Sequence, residues 1–168
     1  ANDLKTITNL AYSLDLKTGK SACVPPYPGG SLFLPAAAVV GGQVYVFGGG
    51  AWDAVNNRAI NTSSAFTYSI KAGQWKAIKP YPFPVRGLAA CPLDNRYILL
   101  GGGYGEGFTN FAAIYDKNRD EYTETVHVPV PAMASFIKAG DFIYWVGGEH
   151  AMRQRSDAVH RIRWKDLL

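Results

Sequence analysis

The chain has 168 residues, 48% of them hydrophobic and 18% charged, which is the composition of a globular protein rather than of a disordered or fibrous one. No window approaches the roughly 18 consecutive apolar residues of a membrane-spanning helix, so we expect a soluble protein that does not contact a membrane. The net charge of +4 gathers near the carboxyl end without a recognisable nucleic-acid-binding module, which argues against nucleic acid as a partner.

The first predicted elements are two short strands, Leu10–Leu16 and Ser21–Val24, joined by a turn at Lys17–Lys20. Residues 1–5 before them lack a hydrophobic signal core, so any export signal is expected outside this sequence. The two strands match the third and fourth strands of the repeat that follows along the chain, and we interpret them as half of a repeating unit.

The same pattern then occurs three times: a strand of small residues, a turn, an apolar strand and a pair of glycines. The copies end at Gly48–Gly49, Gly101–Gly102 and Gly147–Gly148, and their first glycines are about 53 and 46 residues apart. A repeat of about 50 residues built from strands and a glycine pair is typical of the blades of a β-propeller. The sequence therefore predicts an all-β fold.

Each repeat continues with a polar loop and two more strands. The predicted third and fourth strands are Ser64–Ile70 and Gln74–Ile78 in one repeat, and Phe111–Asp116 and Glu121–Thr125 in the next. Tyr68 and Trp75 are seven residues apart, as are Tyr115 and Tyr122, and we expect these aromatic pairs to stack between neighbouring blades. In the last repeat the third strand is predicted at Asp157–Ile162, and Trp164 only begins a fourth.

The glycine pair followed by a tyrosine and then an aromatic residue resembles the kelch motif. The resemblance implies a kelch-type propeller of four-stranded antiparallel blades, of which this chain covers about three to four in a larger, six-bladed ring. The expected divisions are the end of one blade at 1–31, whole blades at 32–84 and 85–131, and an incomplete blade at 132–168. The remaining blades are expected from the same longer chain or from another copy, because an open arc exposes sheet edges.

Three loops that follow the glycine pairs are expected to converge on the mouth of the central channel: Gly50–Ser63, Gly103–Asn110 and Glu149–Ser156. The last contains Glu149 and, six residues later, Arg155 followed by Ser-Asp-Ala-Val. This segment resembles the bacterial N-acetylneuraminate (sialic acid) epimerases or mutarotases, which are kelch propellers. The resemblance implies that Glu149 and Arg155 form the catalytic pair, that the substrate is a small sugar acid, and that the protein is periplasmic or secreted.

The residue types suit the chemistry that the resemblance implies. Interconversion of sugar anomers needs general acid and base groups, and a carboxylate such as Glu149 can serve. A guanidinium binds a carboxylate through two parallel hydrogen bonds, which fits Arg155, with Arg86 or Arg153 as helpers. Tyr104 and Trp52 could stack on a sugar face. Each of these residues also has a structural interpretation, and a Glu149–Arg155 ion pair that only fixes the loops remains an equal alternative.

Other features of the sequence carry less information. The two cysteines, Cys23 and Cys91, are expected to be small buried residues, and the three histidines lack metal-ligand spacing, so we expect no metal and no cofactor. A nucleophile elbow of the Gly-x-Ser-x-Gly type is missing from the sequence. Two further functions stay open: a non-catalytic propeller that binds a protein or glycan, and a structural propeller appended to an enzyme that processes sialic acid.

Overall fold

The computed structural model describes residues 4–168, so residues 1–3 of the amino-terminal segment, for which no signal core was expected, lie outside the described residues. The regular secondary structure of the described chain is short strands, apart from 3₁₀ turns at Leu4–Thr6 and Trp164–Leu167. The strands are β1 (Ala11–Leu14), β2 (Ser21–Val24), β3 (Ala36–Val40), β4 (Gln43–Phe47), β5 (Gly50–Asp53), β6 (Arg58–Asn61), β7 (Ala65–Ser69), β8 (Gln74–Ala77), β9 (Ala89–Pro92), β10 (Tyr97–Gly101), β11 (Ala112–Asp116), β12 (Glu121–Glu124), β13 (Ser135–Ala139), β14 (Phe142–Val146), β15 (Glu149–Ala151), β16 (Gln154–Arg155) and β17 (Val159–Arg163).

These strands form the antiparallel blades that the repeat predicts. One blade has the order β3-β4-β7-β8 and the next has the order β9-β10-β11-β12. A third sheet has the order β13-β14-β17, and β1 pairs with β2 as the two outer strands of a preceding blade. We call the three sheets in chain order the first, second and third blades. The all-β architecture of successive four-stranded antiparallel sheets is confirmed.

The first strands of the blades lie side by side, since β9 contacts both β3 and β13. In β3, Ala36, Ala38 and Val40 are buried while the residues between them are exposed. This alternation follows from the two-residue period of a strand, and the small side chains leave room for neighbouring blades to converge. The innermost strands therefore border the channel side of the arc.

Apolar side chains between adjacent blades form two clusters of the core. Between the first and second blades, Phe47 contacts the ring of Tyr115 with 5.4 Å between centroids, and Val85 and Leu100 are fully buried nearby. Between the second and third blades, the corresponding cluster contains Leu99 and Trp145. Burial of these side chains stabilises each blade against the next by roughly 25 cal/mol for every Å² of apolar surface removed from water.

The predicted aromatic pairs face each other within one blade rather than stacking between blades. Tyr68 lies opposite Trp75, and Tyr115 lies opposite Tyr122, each pair with 5.0 Å between ring centroids and a tilt near 45°. The fourth-strand members then anchor the segment that enters the blade. Trp75 donates its indole N–H to the carbonyl of Pro25, and Tyr122 donates its hydroxyl to that of Lys79.

The second glycine pair is one residue later than the sequence suggested. In all three blades the equivalent glycines have φ near +65° and then near +110°, and in the second blade these are Gly102 and Gly103, not Gly101 and Gly102. Gly101 instead belongs to β10. The amide of the second glycine reaches the chain entering the next blade, as Gly49 donates to Val85 and Gly103 to Pro131. Three consecutive glycines at 101–103 conceal this register in the sequence.

Three other expectations need correction. The loops 50–63 and 149–156 each contain a hairpin, β5–β6 and β15–β16, because alternating side chains there pair across a short turn. The chain at Trp164 turns into a 3₁₀ helix instead of beginning a fourth strand, and Leu167 at its end is buried against the second blade. Cys91 is buried as expected, but Cys23 is exposed because β2 lies at an open sheet edge.

Candidate functional site at the channel mouth

The candidate site lies where the first strand of each blade begins and the second strand ends. In each blade, the residue after the glycine pair forms an isolated backbone bridge with a residue ahead of the first strand. We call these three bridges the mouth pairs; they are Phe33–Gly50, Arg86–Tyr104 and Ala132–Glu149. The same position in successive repeats therefore carries a glycine, a tyrosine and a glutamate.

Glu149 is held at this position by backbone and side-chain contacts. Its amide donates to the carbonyl of Ala132 at 2.7 Å, and its carboxylate oxygen Oε2 accepts a hydrogen bond from the hydroxyl of Tyr104 at 2.5 Å. The side chain is only 18% exposed. A charge-assisted hydrogen bond of this kind is stronger than one between neutral groups, so the two side chains form one unit across the boundary between blades.

Arg155 lies directly opposite Glu149 across the β15–β16 hairpin. Its Nε is 3.6 Å from Oε1 of Glu149, and its side chain is 85% exposed. The structure therefore brings the two residues of the expected pair together, with the arginine on the solvent side. At this exposure the ion pair adds little to stability, because water screens both charges.

Tyr104 connects the mouth pairs. Burial, and then the hydrogen bond to the Glu149 carboxylate, raise the pKa of Tyr104 to about 12. The ring packs edge-on against Phe108 at 4.7 Å and lies over Gly87, where a Cβ atom would be 3.1 Å from the ring. The hydroxyl thus remains protonated at neutral pH and points at an acceptor.

Arg86 is half-buried beside Tyr104. Its guanidinium carbon lies 5.7 Å from the centroid of the Tyr104 ring and 5.9 Å from that of Phe33, within the range of cation–π attraction. Its Nη1 donates to Oδ1 of Asn61 at 2.5 Å. Arg86, expected as a helper of Arg155, thus lies ahead of the first strand of the second blade in a cluster with Tyr104, Phe33 and Asn61.

Asn61, at the end of β6, is a site residue that the sequence did not single out. Besides accepting from Arg86, it donates through Nδ2 to the carbonyl oxygens of Tyr104 at 2.7 Å and Gly105 at 2.9 Å. The hairpin of the first blade is thereby fastened to the loop of the second. An asparagine in a polar loop carries no signal of its own, and its role depends on a hairpin that was not predicted.

The other two candidates lie at the edges of the site or outside it. Arg153 occupies the turn of the β15–β16 hairpin with φ of +62° and is exposed. Trp52, on β5, lines a separate cavity of about 320 Å³ together with Leu4, Ile7 and the glycines at 29 and 30. The structure therefore does not bring Trp52 together with Glu149.

Two cavities adjoin the mouth pairs. One, of about 340 Å³, lies at the beginnings of the three innermost strands, where its lining includes Gly87 and Met133. The other, of about 480 Å³, lies between Asn61, Phe83 and the loop from Gly105 to Thr109. Both volumes are at the lower end of the range for small-molecule pockets.

Within residues 4–168, no group of histidine, cysteine, aspartate and glutamate side chains is arranged to hold a metal ion. In the same part of the chain, no helix is long and apolar enough to cross a membrane. The chemistry available at the mouth pairs and the adjoining Arg155 is that of one carboxylate, one phenol and two guanidinium groups.

Comparison with known proteins supports the fold. A model of the kelch motif matches residues 33–80. Kelch-like protein 35 of Mus musculus is 28% identical over 139 residues, which are 82% of this chain and 22% of that protein. Beta-scruin of Limulus polyphemus is 27% identical over 126 residues, or 72% of this chain and 14% of that protein. The chain thus spans less than a quarter of the length of these curated relatives.

A solved structure, that of YjhT, is similar with a TM-score of 0.82 and 19% sequence identity, over 94% of this chain and 57% of that one. At this identity the likeness concerns the fold. Together with the motif match at 33–80 and the repeated glycine pairs, it supports a β-propeller fold with kelch-type blades, of which this chain covers several.

Proposed function

We propose that this propeller is a mutarotase of the sialic acid type, which interconverts the anomers of a free sugar acid by general acid–base catalysis. The observation that carries the proposal is the hydrogen-bonded pair of Tyr104 and Glu149 with Arg155 beside it. The segment from Glu149 to Val159 resembles the active-site segment of N-acetylneuraminate mutarotases, which are kelch propellers, and the fold of this chain is of that type.

The reaction needs two proton transfers and one bond exchange. To open the cyclic hemiketal, the anomeric hydroxyl loses its proton, the bond between the anomeric carbon and the ring oxygen breaks, and the ring oxygen gains a proton. Reclosure on the other face of the resulting ketone returns both protons. Atoms and charges balance without a cofactor.

Glu149 and Tyr104 fit the two roles. The Glu149 carboxylate accepts the proton of the anomeric hydroxyl. Once protonated it is a weaker acceptor, so the Tyr104 phenol that it held is released to donate to the departing ring oxygen. Since the pKa of Tyr104 is raised to about 12, the phenol is protonated at neutral pH. The alkoxide that leaves is still more basic, so this transfer is favourable. Arg155 lies on the solvent side of this pair, with its Nε 3.6 Å from the Glu149 carboxylate.

The test is anomer exchange, followed by proton NMR after a crystalline anomer of N-acetylneuraminic acid is dissolved with the full-length protein. General acid–base catalysis supplies about 10²–10⁴-fold over the spontaneous reaction, and we expect an acceleration in this range. Glu149→Gln should return the exchange to the spontaneous rate, and Arg155→Gln should reduce it. The matched control is Glu124→Gln, which removes an exposed carboxylate on the second blade.

One observation favours a second candidate, a propeller that binds a protein or glycan without catalysis. Glu149 and Arg155 are direct cross-strand partners, and such pairs also occur simply to stabilise a hairpin. If exchange with the wild-type protein equals the spontaneous rate, the mutarotase proposal is wrong. Retention of a glycan or protein on the immobilised propeller would then support the binding function.

A further inference from the structure

The guanidinium of Arg86 has no acidic partner in the described structure. The ion pairs found among residues 4–168 engage Arg58, Arg96, Arg119, His127 and Arg155, and none places a carboxylate within 4 Å of Arg86. Arg86 is nevertheless half-buried. Partial removal of a charge from water is unfavourable unless an opposite charge compensates it, so this cation is suited to an anionic ligand.

The surroundings of Arg86 hold its guanidinium in one orientation. Asn61 accepts from Nη1, and the guanidinium also lies over the rings of Phe33 and Tyr104. The Phe33 ring can occupy its place because residue 50 is glycine, and a Cβ atom there would overlap the ring. Only one guanidinium nitrogen has a described side-chain partner, so others remain to donate to a ligand.

Arg155 lacks these properties. Its side chain is 85% exposed, and its charge is already directed at Glu149. Binding of an anion by Arg155 would place two negative groups on one guanidinium in water, where charge pairs contribute little. Arg86 is therefore better suited than Arg155 to bind an anionic group of a ligand.

We propose that Arg86 binds the carboxylate of the substrate, that Asn61 is its positioning residue, and that the site selects sugar acids whose carboxylate is attached to the anomeric carbon. This inference rests on the proposed function. Tyr104 contacts both Arg86, through its ring, and Glu149, through its hydroxyl. A carboxylate and a hydroxyl on one carbon reach two such neighbouring groups together. In a uronic acid the carboxylate is attached to C5, across the ring oxygen from the anomeric carbon, so it does not share a carbon with the anomeric hydroxyl.

The first experiment measures carboxylate binding apart from catalysis. Acetate is titrated into the wild-type protein, and the side-chain Nε–H signals of the arginines are followed by nitrogen-15 NMR, with the Arg86 signal assigned through Arg86→Lys. We expect a saturable shift of the Arg86 signal. A signal that does not move, or an Arg155 signal that moves instead, overturns the proposal whether or not the protein is a mutarotase.

The second experiment measures selectivity. The KM for N-acetylneuraminate, for its methyl ester and for glucuronate is determined by anomer exchange. We expect the wild type to prefer the free acid over the ester by about tenfold or more, as the loss of charge-assisted hydrogen bonds implies, and to leave glucuronate at its spontaneous rate. Arg86→Gln should abolish the preference for the acid, and Asn61→Ala should weaken it.

The matched control is Arg58→Gln, which removes one positive charge from the same β5–β6 hairpin that carries Asn61. The Arg58→Gln variant should keep the preference for the free acid over the ester. This result would show that the preference depends on Arg86 itself and not on the net charge of the protein. If Arg86→Gln keeps the preference, or if Arg155→Gln loses it, the assignment to Arg86 is wrong while the proposed mutarotase activity stands. If no sugar acid exchanges faster with the protein, the proposed function fails, and the acetate titration still decides whether Arg86 is a carboxylate site.

Discussion

Tyr104 of the second blade donates its hydroxyl to the carboxylate of Glu149 in the third blade, although the two residues occupy the same position in consecutive repeats. Each follows a glycine pair and bridges to the start of its own innermost strand. Repetition of the fold therefore places two different side chains side by side at the mouth. A repeat architecture can build an acid–base pair in this way, by changing one residue in each of two neighbouring blades.

The first prediction concerns the coupling between these two residues. Tyr104→Phe removes the hydroxyl but keeps the ring against Phe108, so we expect little structural change and a slower anomer exchange. A double-mutant cycle with Glu149→Gln should give a coupling of about 1.5–3 kcal/mol in the free energy of unfolding, the range for a hydrogen bond to a charged group. Urea denaturation of the four proteins measures it. Strictly additive effects would show that the contact contributes nothing.

The second prediction concerns stability at high pH. The pKa of Tyr104 is raised from 10 to about 12, so its neutral form is favoured in the folded protein. This contribution is fully present below pH 10 and is lost as the pH rises towards 12. We therefore expect the stability of the wild type, relative to Tyr104→Phe, to fall across this interval. Urea unfolding of both proteins at several pH values measures the difference, and the other tyrosines cancel because both proteins contain them. A difference that is constant with pH contradicts the prediction.

The third prediction concerns stability at low pH. Arg96 donates to both carboxylate oxygens of buried Asp116, and this lowers the pKa of Asp116 from 3.8 to about 2. The stabilisation is present above pH 3.8 and is lost as the pH falls through about 2. Asp116→Asn should lower the free energy of unfolding at neutral pH by about 1–3 kcal/mol, and the gap to the wild type should narrow in acid.

Asp141→Asn serves as its control, because it removes an exposed carboxylate from the turn between β13 and β14. Thermal unfolding of the three proteins between neutral pH and pH 2 gives the comparison. If the Asp116 and Asp141 variants lose stability equally, the ion pair of Asp116 with Arg96 contributes no more to stability than an exposed carboxylate does, and the prediction is wrong.

The fold was predictable because its determinants are local and repeated. A strand of small residues, an apolar strand and a glycine pair each predict one local structure. Three copies of this pattern at similar spacing strengthen the prediction of repeated blades. The hairpins β5–β6 and β15–β16 were missed because they interrupt the repeat and differ in sequence between blades. The 3₁₀ helix at the end of the third blade was also not predicted. Trp164 is a residue type that favours strands, and the helix depends on the packing of Leu167 against the second blade, which the sequence does not show.

The site was predictable only in part. Glu149 and Arg155 stood out through their spacing and the segment they resemble, and the hairpin brings them together. Tyr104 and Glu149 occupy the same position in their repeats, but the sequence analysis did not show this. It placed the second glycine pair one residue too early, which aligns Gly103 with Glu149 instead of Tyr104. Asn61 could not be found from the sequence, because its hydrogen bonds cross from one blade to the next and depend on tertiary structure.

The last prediction tests the role of the glycine pairs in joining blades. Gly48 has φ of +59°, and a Cβ atom there would lie 2.5 Å from the carbonyl oxygen of Val85, at the entrance to the second blade. Gly140 has nearly the same φ, +57°, but no atom lies within 4 Å of its added Cβ. Both alanine variants pay the backbone cost of a positive φ, about 1 kcal/mol, while only Gly48→Ala also forces adjacent blades apart. We expect Gly48→Ala to lower the free energy of unfolding by roughly 2 kcal/mol more than Gly140→Ala, within the usual cost of overpacking. Urea denaturation gives both values, and equal losses would mean that the contact between the Gly48 turn and Val85 adjusts without strain.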